Sequence, residues 1–150
     1  MLLLVNKKAK LEYQILETFQ AGVVLLGSEV KSLRAKRGSF SDSYVKIVGE
    51  ELFLINAQIN PYQFADNRQY DPTRTRKLLI KKGEILSLQS KLNKKNVTLV
   101  PLSFQTSSNH IKLIFGLAKG KKEYEKRADL KKKAVQRDIE REVKDKVRLR

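Results

Sequence analysis

Tyr44-Val45-Lys46-Ile47-Val48, a Gly49-Glu50-Glu51 turn and Leu52-Phe53-Leu54-Ile55 read as one β-hairpin, and this stretch decides the fold. Runs rich in β-branched, aromatic and aliphatic residues flank a glycine-bearing turn, the pattern of two antiparallel strands. A second pair lies at residues 97–106 and 110–118, joined by Ser107-Ser108-Asn109. Upstream, Tyr13, Ile15, Glu17 and Phe19 alternate with Gln14, Leu16, Thr18 and Gln20, the two-residue period of a strand. The apolar run Val23-Val24-Leu25-Leu26 predicts that the chain continues as a buried strand, bracketed by Gly27 and by Gly22 at a bend or bulge. Short antiparallel strands with two or three small helices predict a mainly β protein, built as a partly open antiparallel barrel.

Three short helices fit between these strands. Asn6 is an N-cap for a helix opening at Lys7-Lys8-Ala9-Lys10. From Ser28 to Gly38, Ser28 caps, Glu29 meets the positive end of the dipole, Lys36 and Arg37 meet the negative end, and Gly38 supplies the left-handed stop. Val30 and Leu33 then face the core and leave Lys31, Arg34 and Arg37 on an exposed basic side. Residues 84–93 form an amphipathic helix with Ile85, Leu88 and Leu92 on one face. Asn60-Pro61 ends the central region, and residues 62–72 form a polar loop closing on Asp71-Pro72.

The chain has 150 residues and a formal net charge of +16. From residue 117 onward, 14 Lys and Arg face 7 Asp and Glu, a net of +7. Few apolar side chains accompany that charge, so the tail cannot build a core alone. The division expected is a barrel over residues 1–119 and a basic tail over 120–150. In the tail Val135, Ile139, Val143 and Val147 recur every four residues, and Glu123–Arg127 and Glu140–Lys144 are i,i+4 pairs. Such a tail is disordered when free and helical only against a partner surface. A folded basic body with a basic extension points to RNA or DNA, held through salt-sensitive phosphate contacts.

Other chemistry finds little support. There is no cysteine and one histidine, His110, so thiol chemistry and a His/Cys metal site are excluded. Serines and threonines lack an evident base partner, carboxylates are scattered, and no phosphate-cradling glycine loop occurs. Catalysis, metal and cofactor are not expected. Met1-Leu2-Leu3-Leu4-Val5 lacks a basic flank and is too short for a signal segment, and no run reaches membrane-spanning length. A soluble cytoplasmic protein is expected.

Several stretches together resemble the SsrA-binding (SmpB) protein family. They are Asn6-Lys7-Lys8-Ala9, Ala21-Gly22, Gly27, Glu29-Val30-Lys31-Ser32-Leu33-Arg34-Ala35 and Asp42-Ser43-Tyr44. Asp71-Pro72-Thr73-Arg74-Thr75-Arg76-Lys77-Leu78-Leu79, Gly116-Leu117-Ala118-Lys119-Gly120-Lys121-Lys122 and Lys126-Arg127 follow in family order. The resemblance implies an OB-fold-like barrel with flanking helices, in a monomer whose partners include neither membrane nor DNA. It further implies trans-translation: the barrel holds the tRNA-like domain of transfer-messenger RNA (tmRNA), and the tail enters the empty decoding centre and message channel of the small ribosomal subunit.

Under that resemblance the RNA-binding residues of the barrel are Asn6, Lys7, Gln20, Lys31, Arg34, Arg74, Arg76, Lys77 and Leu79. Gln20 stands where the family usually has Glu, and an amide both donates and accepts. Arg74 and Arg76 are two apart and project to one side of an extended segment, suited to phosphate. The same spacing suits a second reading, in which Asp71-Pro72 is a turn and the arginines brace acidic neighbours. Spacing alone would make Leu79 a core residue; the resemblance moves it to the RNA surface. Lys31 and Arg34 also read as solvated helix charges. In the tail, Gly120, Lys121, Lys122, Tyr124, Lys126, Arg127 and Lys131 are the expected ribosome contacts. Gly120 is a hinge and Tyr124 a stacking ring. The competing reading is a constitutive ribosomal or ribosome-assembly protein using the same barrel and tail.

Overall fold

The computed structural model describes residues 1–94 and 96–120. Lys121, Lys122, Tyr124, Lys126, Arg127 and Lys131, and the expected tail helix, lie outside them.

Nine strands and three helices follow in order: β1 (Leu2–Val5), α1 (Lys7–Glu12), β2 (Tyr13–Val23), α2 (Gly27–Arg34), β3 (Gly38–Ser39), β4 (Tyr44–Val48), β5 (Glu51–Ile55), β6 (Gln58–Ile59), β7 (Arg76–Leu79), α3 (Lys82–Leu92), β8 (Val97–Ser107) and β9 (His110–Gly120). The β4–β5 and β8–β9 hairpins stand where expected. The β8–β9 turn uses left-handed Ser108 and Asn109.

The main sheet is antiparallel in the order β1-β8-β4-β5-β7-β2-β9, and a further β8–β9 ladder joins its second strand to its last, leaving β1 outside the ring. Six strands therefore run round a ring. The closure is partial, because β4 meets β8 only at Val45–Leu99 and β2 meets β7 only over Gly22–Leu79 and Val23–Leu78. Leu52, Leu54, Phe104, Leu113 and Phe115 fill the interior together with Leu33 of α2 and Leu88 of α3. Phe40 stacks on Phe104 at 5.0 Å and Phe19 on Phe115 at 5.5 Å between ring centroids. This is the mainly β, partly closed barrel with flanking helices that the hairpins predict.

Four local expectations are corrected. The strand stops at Val23, and Val24 and Leu26 are exposed. There the Val24 N–H donates to Lys77 O at 3.0 Å before the chain turns into α2. Leu26, not Ser28, occupies the N-cap position, and the Glu29 carboxylate accepts its N–H at 2.9 Å. The left-handed residue after α2 is Lys36 (φ 59°). Gly38 is needed for close approach instead: a Cβ there would sit 2.7 Å from Gln58 O across the β3–β6 pair. The irregularity in β2 falls between Ile15 and Glu17, whereas Gly22 is in regular register. Gly120 ends β9 opposite Tyr13.

Candidate nucleic-acid interface

β7 alternates strictly: Arg76 and Leu78 point inward, Lys77 and Leu79 outward. An inward arginine needs a buried counter-charge, and the first turn of α2 delivers it. Glu29 Oε2 accepts from Arg76 Nε at 2.8 Å and Nη2 at 2.5 Å, with both side chains fully buried. Arg74 adds a second fork, Nε to Oε2 at 3.1 Å and Nη2 to Oε1. The remaining Arg76 donors reach Ala57 O at 2.6 Å and Pro72 O at 3.0 Å. The Tyr70 hydroxyl lies 3.0 Å from Glu29 Oε2 and 2.8 Å from Ile59 O. Burial pushes the Glu29 carboxyl up, but Arg74, the Leu26 N–H and Arg76 together outweigh it and hold it below the usual carboxylate value. Burial, reinforced by the Glu29 charge, pushes the Tyr70 phenol up to about 12.

This cluster bears on two expectations. Arg76, read from its spacing either as an RNA contact or as a brace for an acidic neighbour, takes the second role: it is completely buried and all its guanidinium nitrogens are engaged. Glu29, expected only as a helix-dipole partner, is the hub of the cluster. Arg74 keeps 28% of its side chain exposed. Two guanidinium charges face one carboxylate, so the surplus positive charge emerges at Arg74.

Outward-facing residues form the accessible surface. Leu79 is 54% exposed, and the β2–β7 register sets it opposite Gly22. A Cβ on Gly22 would come within 3.3 Å of Leu79 Cβ, so the glycine makes room for the leucine. Gln20, also exposed, lies two residues before Gly22 and hence on the same face of β2. Beside them a cleft of about 340 Å³ is lined by Gly22, Val30, Leu79, His110 and Lys112 among others. Lys77 is half-exposed and pairs with Glu51 at 3.1 Å. Lys31 and Arg34 lie on the open side of α2 as expected.

Asn6 proves structural at both ends of its amide. Oδ1 accepts the Ala9 N–H at 3.3 Å as the N-cap, and Nδ2 donates to Pro101 O at 2.8 Å, fastening α1 to β8. Lys7 is exposed and lines a cleft of about 610 Å³ between α1 and the segment around Asp42 and Ser43. His110 is exposed at the start of β9.

Sequence reasoning missed Tyr62 and Phe64, which it placed in a polar loop. The Tyr62 ring lies under Lys31 Nζ at 5.4 Å, and Phe64 packs edge-on against it at 5.5 Å. An aromatic pair after Asn60-Pro61, next to a basic helix, was the available signal.

Among the described residues no group of three or more His, Cys, Asp or Glu is placed to hold a metal ion. No described helix is long and apolar enough to cross a membrane.

Comparison with known proteins gives a consistent result. The family model for SmpB protein matches residues 3–145. The SsrA-binding protein of Aquifex aeolicus is 50% identical over 145 residues, covering 96% of this chain and 92% of that protein. The SsrA-binding protein of Gloeobacter violaceus is 48% identical over 136 residues, 91% of this chain and 90% of its own length. Among solved structures, a chain described as "tmRNA-SmpB: a journey to the center of the bacterial ribosome" superposes with a TM-score of 0.68 at 45% identity. It covers 89% of this chain and 94% of its own.

Proposed function

The chain belongs to the SmpB protein family, and from that premise we propose that it is an RNA-binding adaptor of trans-translation. It binds tmRNA through its tRNA-like domain and brings it to stalled ribosomes in the cytoplasm. The role is recognition and positioning rather than catalysis, and the protein acts as a monomer.

The observation that carries this reading is the outer face around Gln20, Gly22 and Leu79, with Lys77 on the same side of β7 and Lys31 and Arg34 exposed on α2. A rigid sheet face with an exposed leucine, an amide and separated cations suits a folded RNA elbow, which is recognised by shape, phosphate and stacking. Lys7 adds a phosphate contact from α1. Asn6 and Arg76 act from within, holding α1 and β7 in place, and Arg74 both braces Glu29 and lends its exposed edge to phosphate. The tail from Gly120 through Lys121, Lys122, Tyr124, Lys126, Arg127 and Lys131 reads the vacant decoding centre and message channel, where it becomes helical.

Ribosome residence tests the adaptor reading. Quantitative fractionation is expected to find the protein substoichiometric on small subunits, enriched on stalled ribosomes and lost when tmRNA is deleted. Stoichiometric, salt-resistant residence on every small subunit, indifferent to tmRNA, would replace the adaptor with a constitutive ribosomal protein.

A further inference from the structure

Phe64 is the most exposed aromatic side chain among the described residues, with 77% of its surface open. The loop beneath it is built to present it. The Ala65 N–H donates to Tyr62 O at 3.1 Å, closing a turn with Phe64 at its third position. Asn67 Nδ2 ties the same turn twice, to Tyr62 O at 2.7 Å and Ala65 O at 3.1 Å. One end of the loop is held by the Asn60 N–H on Arg37 O, the other by Tyr70 in the Glu29 cluster.

The surroundings are cationic. Lys31 Nζ sits 5.4 Å from the Tyr62 ring centre, and Arg34 follows three residues later on the open side of α2. The nearby carboxylate of Asp66 is held by Arg68 at 2.9 Å. One ring among polar and charged neighbours is too little apolar surface for a protein interface or a membrane. Its size and setting match a single nucleobase, since every base offers a π-face and its flanking phosphates want cations.

We infer that Tyr62 and Phe64, with Lys31 and Arg34, form a stacking platform for an unpaired RNA base. The inference rests on the RNA-binding reading above and deepens it. The RNA partner presents a splayed base to the α2 side of the barrel, in addition to the backbone met by the Gln20–Leu79 face. The turn is set in advance, so ordering costs little when the base arrives.

The chain contains no tryptophan, so Phe64→Trp in the full-length protein makes indole emission a reporter of this position alone. The probes are an unstructured single-stranded RNA of about ten nucleotides and a blunt duplex RNA of equal phosphate number. Binding is followed separately by anisotropy of labelled RNA. Saturating single strand is expected to quench the emission strongly, and saturating duplex much less. Phe64→Ala is expected to weaken single-strand binding about 5- to 100-fold with an unchanged thermal midpoint. Unchanged emission at saturation, or wild-type affinity in Phe64→Ala, overturns the platform and leaves the ring to a partner other than RNA. Preference for the tRNA-like domain is scored on the wild-type chain. Quenching without that preference would keep the platform and remove the adaptor function.

Discussion

The Glu29 carboxylate of α2 and the Arg76 guanidinium of β7 meet at 2.8 Å in the interior, 47 positions apart in the chain. The pair joins the helix that carries Lys31 and Arg34 to the strand that carries Lys77 and Leu79. Two parts of the candidate RNA surface thus share one frame. The cost of burying Glu29 and Arg76 is offset by multiple charge-assisted hydrogen bonds, including those from half-buried Arg74, and by leaving no Glu29 or Arg76 donor or acceptor idle.

Removing one partner strands the other. Glu29→Ala is expected to cost about 3–5 kcal/mol of folding stability, read as a lower urea midpoint with little change in slope. A double variant, Glu29→Leu with Arg76→Met, is expected to recover much of the loss because no fully buried unpaired charge remains and Arg74 keeps an edge open to solvent. A cost in Glu29→Ala below about 1 kcal/mol would place the pair with exposed ion pairs, which are worth that little.

Stability should depend on pH at both extremes. Glu29 has a folded pKa below its reference of 4.5, so its contribution is full above that value and is lost as pH falls through the folded pKa. Tyr70 has a folded pKa of about 12 against a reference of 10.0. Its contribution is therefore full below pH 10.0 and lost as pH rises toward about 12. Chemical denaturation across pH checks the acid limb. Tyr70→Phe is expected to flatten the alkaline limb and to remove a phenol titrating near pH 12 from an ultraviolet titration of the protein.

Much of this architecture was legible in the residues. The β4–β5 and β8–β9 hairpins follow from alternation around turn residues, and Asn6 announces its helix by side chain alone. What local pattern could not supply was pairing at long range. Spacing leaves Arg76 open between phosphate contact and acidic brace, and it does not name the partner, Glu29, 47 residues earlier. Leu79 reads as core until the register with Gly22 turns it outward. Val24-Leu25-Leu26 reads as strand because apolarity does not reveal the turn that Glu29 caps. Phe64 was hidden among polar neighbours, since exposure is a property of the folded loop.

Surface substitutions should separate RNA binding from folding. Leu79→Ala and Gln20→Ala are expected to weaken binding to the tRNA-like domain with melting temperatures close to wild type, because both side chains are exposed. Arg34→Ala or Lys7→Ala is expected to lower the salt slope of binding by about one unit. Equilibrium titrations at several salt concentrations, beside thermal melts, give both readouts.

The tail should be separable from the barrel. Deleting residues 121–150 leaves β9 complete to Gly120, and cooperative unfolding and RNA binding are expected to persist. Tyr124→Ala combined with Lys121→Ala in the whole chain is expected to spare RNA binding and abolish peptide tagging on stalled ribosomes. Translation assays with a message lacking a stop codon measure that loss. Joint failure of binding and tagging would contradict the division of labour.

The central claim is tested most directly by competition binding of the purified protein to the tRNA-like domain of tmRNA. Ordinary tRNA and an unrelated duplex RNA compete, at low and near-physiological salt. A preference for the tRNA-like domain that survives the higher salt is the predicted result, because recognition by shape outlasts screening of phosphate charge. Equal affinity for all three RNAs, collapsing together as salt rises, would contradict it.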